Sequence, residues 1–129
     1  MTGIDEYLDR IMCIPGARSV TLVDGASGLA IAAAGSHELV DEHEGAAVVT
    51  DVVRGVLGCP ALASTDGGGD IHEIIVCGTG GFHLLNLVNG DFDGRLFVHV
   101  LFKDTGNLAI ARFRLRTILS ELAGDGHGN

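Results

Sequence analysis

The sequence is poor in positive charge. Eight lysines and arginines stand against seventeen aspartates and glutamates among 129 residues, a formal net charge of −9. An acidic surface repels phosphate backbones, so nucleic acid is disfavoured as a partner. Cysteine is scarce too: Cys13, Cys59 and Cys77 are an odd number without C-x-x-C spacing. That argues against a disulfide framework and suits a reducing interior. No apolar run approaches the ~20 residues that cross a bilayer, which argues against direct membrane insertion. The first residues, Met1 to Glu6, lack the basic start and apolar run of a signal peptide, so the expected location is cytoplasmic. Phosphate and nucleophile motifs are missing as well. There is no G-x-x-x-x-G-K-[ST] run, and no serine lies in a G-x-S-x-G frame.

What the chain does have is apolar content, 47% of residues against 19% charged. The charged share is below the usual quarter, and a chain this apolar is expected to hide some of its surface in a partner. Its length suits one compact domain over residues 1–129, with a core of about 4–122 and a polar, flexible tail at 123–129. At this size folding buries roughly two-thirds of the unfolded surface without metal or disulfide staples. No internal repeat is visible. The charge is uneven, since residues 1–51 hold nine acids and two bases.

Thr2 and Asp5 form a capping pair, and Ile4, Leu8 and Ile11 recur at helical spacing until Pro15 and Gly16. Two β-rich runs, Ser19 to Val23 and Leu29 to Ala34, flank Asp24-Gly25-Ala26-Ser27-Gly28 and predict a hairpin. A second helix is predicted from about Glu38 to Leu57. Its valines come in doublets every four residues, as a helix and not a half-exposed strand requires. Ala46, Val49, Val53 and Val56 lie along one line, and Val48 and Val52 widen the stripe until the helix must be covered on two sides. After a loop with Pro60 and Gly67-Gly68-Gly69 come three strands, about 71–78, 82–88 and 95–103, joined by short glycine-bearing links that imply antiparallel neighbours. Both faces of the last strand are apolar, so helices should cover the sheet on each side. A final helix runs from about Leu108 to Leu122. The fold class is therefore α/β (α+β), a single five-stranded antiparallel-rich sheet with helices on both faces in the order αββαβββα.

No catalytic, cofactor or metal constellation emerges. His37 and His43 are six apart, not the i, i+4 spacing of two ligands on one helix face. With Thr79-Gly80 as a two-residue turn, His83 faces Val76 and His72 lies ~13 Å along the neighbouring strand, too far to share a zinc. The same register sets Cys77 opposite Phe82, on the sheet face away from His83, so no Cys–His pair forms there. His99, between Phe97 and Leu101, reads as a hydrogen-bonded, partly buried histidine. The acids Glu38, Asp41, Glu42 and Glu44 read as a solvated helix start or as a docking surface. Arg112 and Arg116, four apart on the last helix, read as a solvated basic face or a partner contact.

The order αββαβββα, with Ile14-Pro15-Gly16-Ala17 before the first strand, Asp24-Gly25-Ala26-Ser27-Gly28 in the hairpin and a small-residue-rich central helix, resembles the roadblock / dynein light chain superfamily over about residues 4–122. The Asp24 to Gly28 turn is longer than the Asp-Gly link of many members. The resemblance implies a non-enzymatic protein that dimerises by joining sheets edge to edge with its central helices packed together. It also implies a scaffold or regulator of a small Ras-like GTPase, and an acidic bacterial-looking copy is similar to the roadblock component of conservons, which accompanies a sensor-kinase-like protein. The residues allow such a dimer. A helical seam would use Ala46, Val49, Val53 and Val56, and an apolar edge strand would pair through Ile71, Glu73 and Ile75. Glu38, Asp41, Glu42, Arg112 and Arg116 are the candidates for contact with the GTPase. The alternative is a small-molecule-binding sensory module of PAS-like or profilin-like architecture, with His83, His99 and Cys77 as the groups to inspect in a pocket.

Overall fold

The structure is a computed structural model that describes residues 3–37, 41–64, 69–88, 96–103 and 106–126. Its elements follow the expected order: α1 (Ile4–Met12), β1 (Ala17–Asp24), β2 (Leu29–Gly35), α2 (Glu42–Leu57), β3 (Glu73–Gly78), β4 (Gly81–Leu87), β5 (Leu96–Lys103) and α3 (Leu108–Gly126). The five strands form one sheet in the order β2-β1-β5-β4-β3, antiparallel at every pairing. Strands β1 and β5 sit inside the sheet, and nearly every residue of both is buried or half-buried.

Helices cover the two faces unequally. On one face Tyr7, Leu8 and Ile11 of α1 join Ala111, Leu115 and Ile118 of α3 over Val20, Leu22, Leu84, Val98, Val100 and Phe102. On the other, α2 alone packs Ala46, Val53 and Leu57 against Val23, Leu85 and Phe97. Ile4, expected on the inner line of α1, is instead exposed, and Tyr7 takes the inner position. The N-cap of α1 is Gly3, with no side-chain cap, and Thr2 lies outside the described residues. Helix α3 runs on to Gly126, beyond the expected end at Leu122, because Ala123 still packs on the core.

Two irregularities shape the sheet. Between Leu22 and Val23 the β1–β2 register skips Ile31, and between Ala17 and Ser19 the β1–β5 register skips Arg18. An extra residue of this kind bends its strand and re-aims its side chain. The long hairpin turn satisfies itself: the Asp24 carboxylate accepts from the Ala26 N–H at 3.0 Å and from the Ser27 hydroxyl at 3.0 Å. Arg54 of α2 then donates to the carbonyls of Gly25 and Ala26 at 2.9 and 2.7 Å, tying the helix to the turn.

Candidate functional site

Helix α2 begins at Glu42, four residues later than the charge pattern suggests, because Asp41 is its N-cap. The Asp41 carboxylate accepts from the N–H groups of His43 and Glu44 at 3.0 and 3.4 Å. Such a cap satisfies donors that the first turn otherwise leaves orphaned. Glu42 follows, its carboxylate 3.7 Å from the exposed His43 ring. Glu38 lies outside the described residues.

The apolar stripe of α2 divides sharply. Ala46 and Val53 are 3% and 2% exposed, packed on the chain's own sheet, and Val49 and Val56 are half-buried. Of the expected helical seam, Ala46 and Val53 thus pack on the chain's own sheet, while Val49 and Val56 keep part of their surface open. Val48 and Val52, 64% and 45% exposed, are the apolar side chains that α2 turns outward. Thr50 explains the inward line, since it is buried with its hydroxyl donating to the Ala46 carbonyl at 2.7 Å.

Strand β3 is a sheet edge, as expected, and its Ile75 and Val76 are exposed. Ile71, before the strand, packs half-buried on the α2 side. The Glu73 carboxylate turns towards α3 and accepts from Arg112 Nε at 2.8 Å. Arg112 is thereby engaged within the chain, and the Arg112–Glu73 pair holds its guanidinium above the ordinary pKa. Arg116 is exposed on α3, with no ion pair among the described residues.

The histidines are brought together in a way the expected spacing missed. Val76 pairs with His83, and Cys77 with Phe82 on the opposite face, as the Thr79-Gly80 turn requires. Across the next pairing His83 is opposite Leu101 and His99 opposite Leu85, so the two imidazoles are diagonal neighbours on the α2 side. His83 Nδ1 and His99 Nε2 lie 2.9 Å apart, with ring centroids 5.2 Å apart. His37 Nε2 is 3.2 Å from the Thr21 hydroxyl in the same region. These groups line a pocket of about 420 Å³ between the sheet and the start of α2, with Arg18, Asp41 and Glu42 also in its wall. Cys77 is not in it. Among the described residues no cluster of three or more His, Cys, Asp or Glu side chains is placed to hold a metal ion.

Burial pushes the His83 pKa below its ordinary value and lowers that of His99 to about 4. For His99 the fields of His83 and His37 add to desolvation. The dyad is therefore neutral at pH 7. Facing it are Arg18, Ser19 and Thr21 from β1, His37 after β2, and Asp41 and Glu42 at the start of α2. Between the ordinary value of 6.5 and about 4 the unfolded chain carries a proton at residue 99 that the folded chain does not. Stability is thus fully present above pH 6.5 and falls as pH drops, with about 3 kcal/mol lost from this group once pH is below 4. Urea unfolding at pH 7 and pH 4.5 should show the loss, and the His99→Gln variant should lose less between the same two pH values. Equal losses in the two proteins would remove His99 as the source.

A search against family models finds no match, and a search of curated proteins finds none. Solved structures do match. The chain superposes on Myxococcus xanthus MglB with a TM-score of 0.81 at 23% identity, covering 97% of this chain and 95% of that one. A Roadblock/LC7 domain from Streptomyces avermitilis matches with a TM-score of 0.72 at 15% identity, covering 96% and 98%. The chain has the roadblock/LC7 fold. A further similar structure, described as MglB with tetrameric arrangement, has a TM-score of 0.75 at 18% identity and covers 98% and 93%. The roadblock resemblance of the eight-element order thus agrees with the three-dimensional arrangement. No helix among the described residues is long and apolar enough to cross a membrane.

Proposed function

We propose that this chain is a homodimeric, non-enzymatic scaffold or regulator of a small Ras-like GTPase in bacterial signalling. Its setting is a cytoplasmic conservon-type complex that includes a sensor-kinase-like protein. The observation that carries the dimer is an unpaired, apolar sheet edge, with Val76 on the same side of the sheet as the outward Val48 and Val52 of α2. An edge of this kind is an aggregation hazard unless it is paired, and pairing with its own twin closes it. The tetrameric arrangement described for one similar MglB structure supports self-association in this fold. The GTPase role rests on what the roadblock resemblance implies. Asp41, Glu42, Arg112 and Arg116 are the charged candidates for that contact, and Glu38 joins them from outside the described residues.

Sedimentation at low micromolar concentration is expected to give a dimer. A small Ras-like GTPase from the same genome should co-elute with this chain on gel filtration or hydrolyse GTP at a changed rate when the chain is added. A monomer throughout the concentration range would overturn the dimer. Absence of both co-elution and any rate change would overturn the partner class.

A second reading, a small-molecule-binding module, draws on one observation, the pocket of about 420 Å³ beside α2.

A further inference from the structure

The sheet face beneath α2 has two halves of opposite character. One is apolar, built from Val23, Leu85 and Phe97 under Val53 and Leu57. The other carries Ser19, Thr21, His83 and His99 on the same strands, and the pocket opens over it. Polar groups facing an interior cost free energy unless something hydrogen-bonds to them. Thr21 meets His37 and the two histidines meet each other, which leaves one further nitrogen on each of the His83 and His99 rings to be met.

Arg18 is the second sign of a built site. It is the extra residue of the bulge between Ala17 and Ser19, and that bulge places it in the pocket wall. It makes no ion pair among the described residues. Glu42 stands in the opposing α2 wall, and its carboxylate has only the exposed His43 ring at 3.7 Å. A cation and an anion thus face one space without neutralising each other. An ion of one sign is repelled by one wall, whereas a molecule carrying both signs is attracted by both.

The dyad adds a third constraint. Neutral His83 and His99 share one proton across the 2.9 Å contact. If His83 Nδ1 donates, His83 Nε2 is left an acceptor and His99 Nδ1 a donor. If His99 Nε2 donates, the two roles exchange. In either form the pair offers one donor and one acceptor, which matches an amide, hydroxyl or carboxyl group. The volume is near the lower end for ligand pockets, which suits a molecule of amino-acid or dipeptide size.

We propose that this pocket binds a small zwitterion of the amino-acid class, with its carboxylate on Arg18, its ammonium on Glu42 and a polar side chain on the His83–His99 dyad. The proposal does not rest on the GTPase reading, so the two can fail separately.

The test is calorimetric titration of the full chain with each of the twenty standard amino acids, alongside NMR of the imidazole resonances. Saturable binding of at least one is expected, with shifts of the His83 and His99 signals. Arg18→Gln and Glu42→Gln alter groups at the pocket rim, and circular dichroism should show both variants folded. Each should weaken binding at least about tenfold, the loss expected when one charged partner is removed. The same loss is expected for the parent's decarboxylated amine and for its deaminated acid. The proposal is overturned if none of the twenty binds saturably, if the two variants bind as tightly as the parent chain, or if either single-charge analogue matches the zwitterion.

Discussion

Gly35→Ala should destabilise the protein by about 3 kcal/mol or more, a large part of the 5–15 kcal/mol that holds a typical domain folded. Gly35 ends β2 at φ +88°, a conformation that strains any side chain. A Cβ there would also sit 2.8 Å from the Ser19 Cα and closer still to the Arg18 carbonyl oxygen. Both are backbone atoms and neither can rotate away. The strain falls on the bulge that aims Arg18, so the substitution should disturb the pocket as well as the fold. Thermal unfolding is the direct check, with a fall of about 10 °C or more expected for a chain of this size. Gly124→Ala is the control. A Cβ at that helical position meets nothing within 4 Å, and the change should raise stability by about 0.5–1 kcal/mol. A Gly35→Ala protein as stable as the parent would mean that β2 ends differently in solution.

Two adjacent valines should give opposite results. Val53 lies at 2% exposure among Val23, Leu85 and Phe97, so Val53→Asp buries a carboxylate in an apolar cluster. A loss of more than about 4 kcal/mol is expected, and circular dichroism should show little folded protein. Val52, one residue earlier, is 45% exposed. Val52→Asp should leave folding within about 1 kcal/mol of the parent. In the proposed dimer it sets like charges against each other, and sedimentation should then show monomer. A folded, dimeric Val52→Asp protein would remove the outward valines from the seam, and a well-folded Val53→Asp protein would contradict the packing of α2.

The contrast between those two residues marks where sequence reasoning stops. Periodicity identifies α2 and gives it an apolar stripe wide enough for two coverings, but it does not say which part turns inward. Thr50 hides the answer, because a hydroxyl that bonds its own helix at Ala46 looks polar in sequence and behaves as core. The β3–β4 register was legible, since a two-residue turn leaves one pairing of Val76 with His83. The histidine dyad was not. It depends on the β4–β5 register, and the linker between those strands holds two competing turn signals, Asn89-Gly90 and Asp93-Gly94, which fix no single register. Arg112 and Glu73 were legible as charges but not as a pair, because 39 residues of chain separate them. Arg18 lay outside every pattern, since a bulge breaks the alternation by which a side chain is assigned to a face.

The register skip at Ile31 in β2 bears on how far assembly can proceed. A sheet with two straight, open edges can add copies at both ends and grow into a ribbon. Here β3 is one edge, and β2, the other, bends where Ile31 falls out of register. A bent edge is a poor template for a further strand. In the proposed dimer, two chains joined through β3 would therefore present only β2 ends, which disfavours growth of the sheet into a fibre by further strand addition.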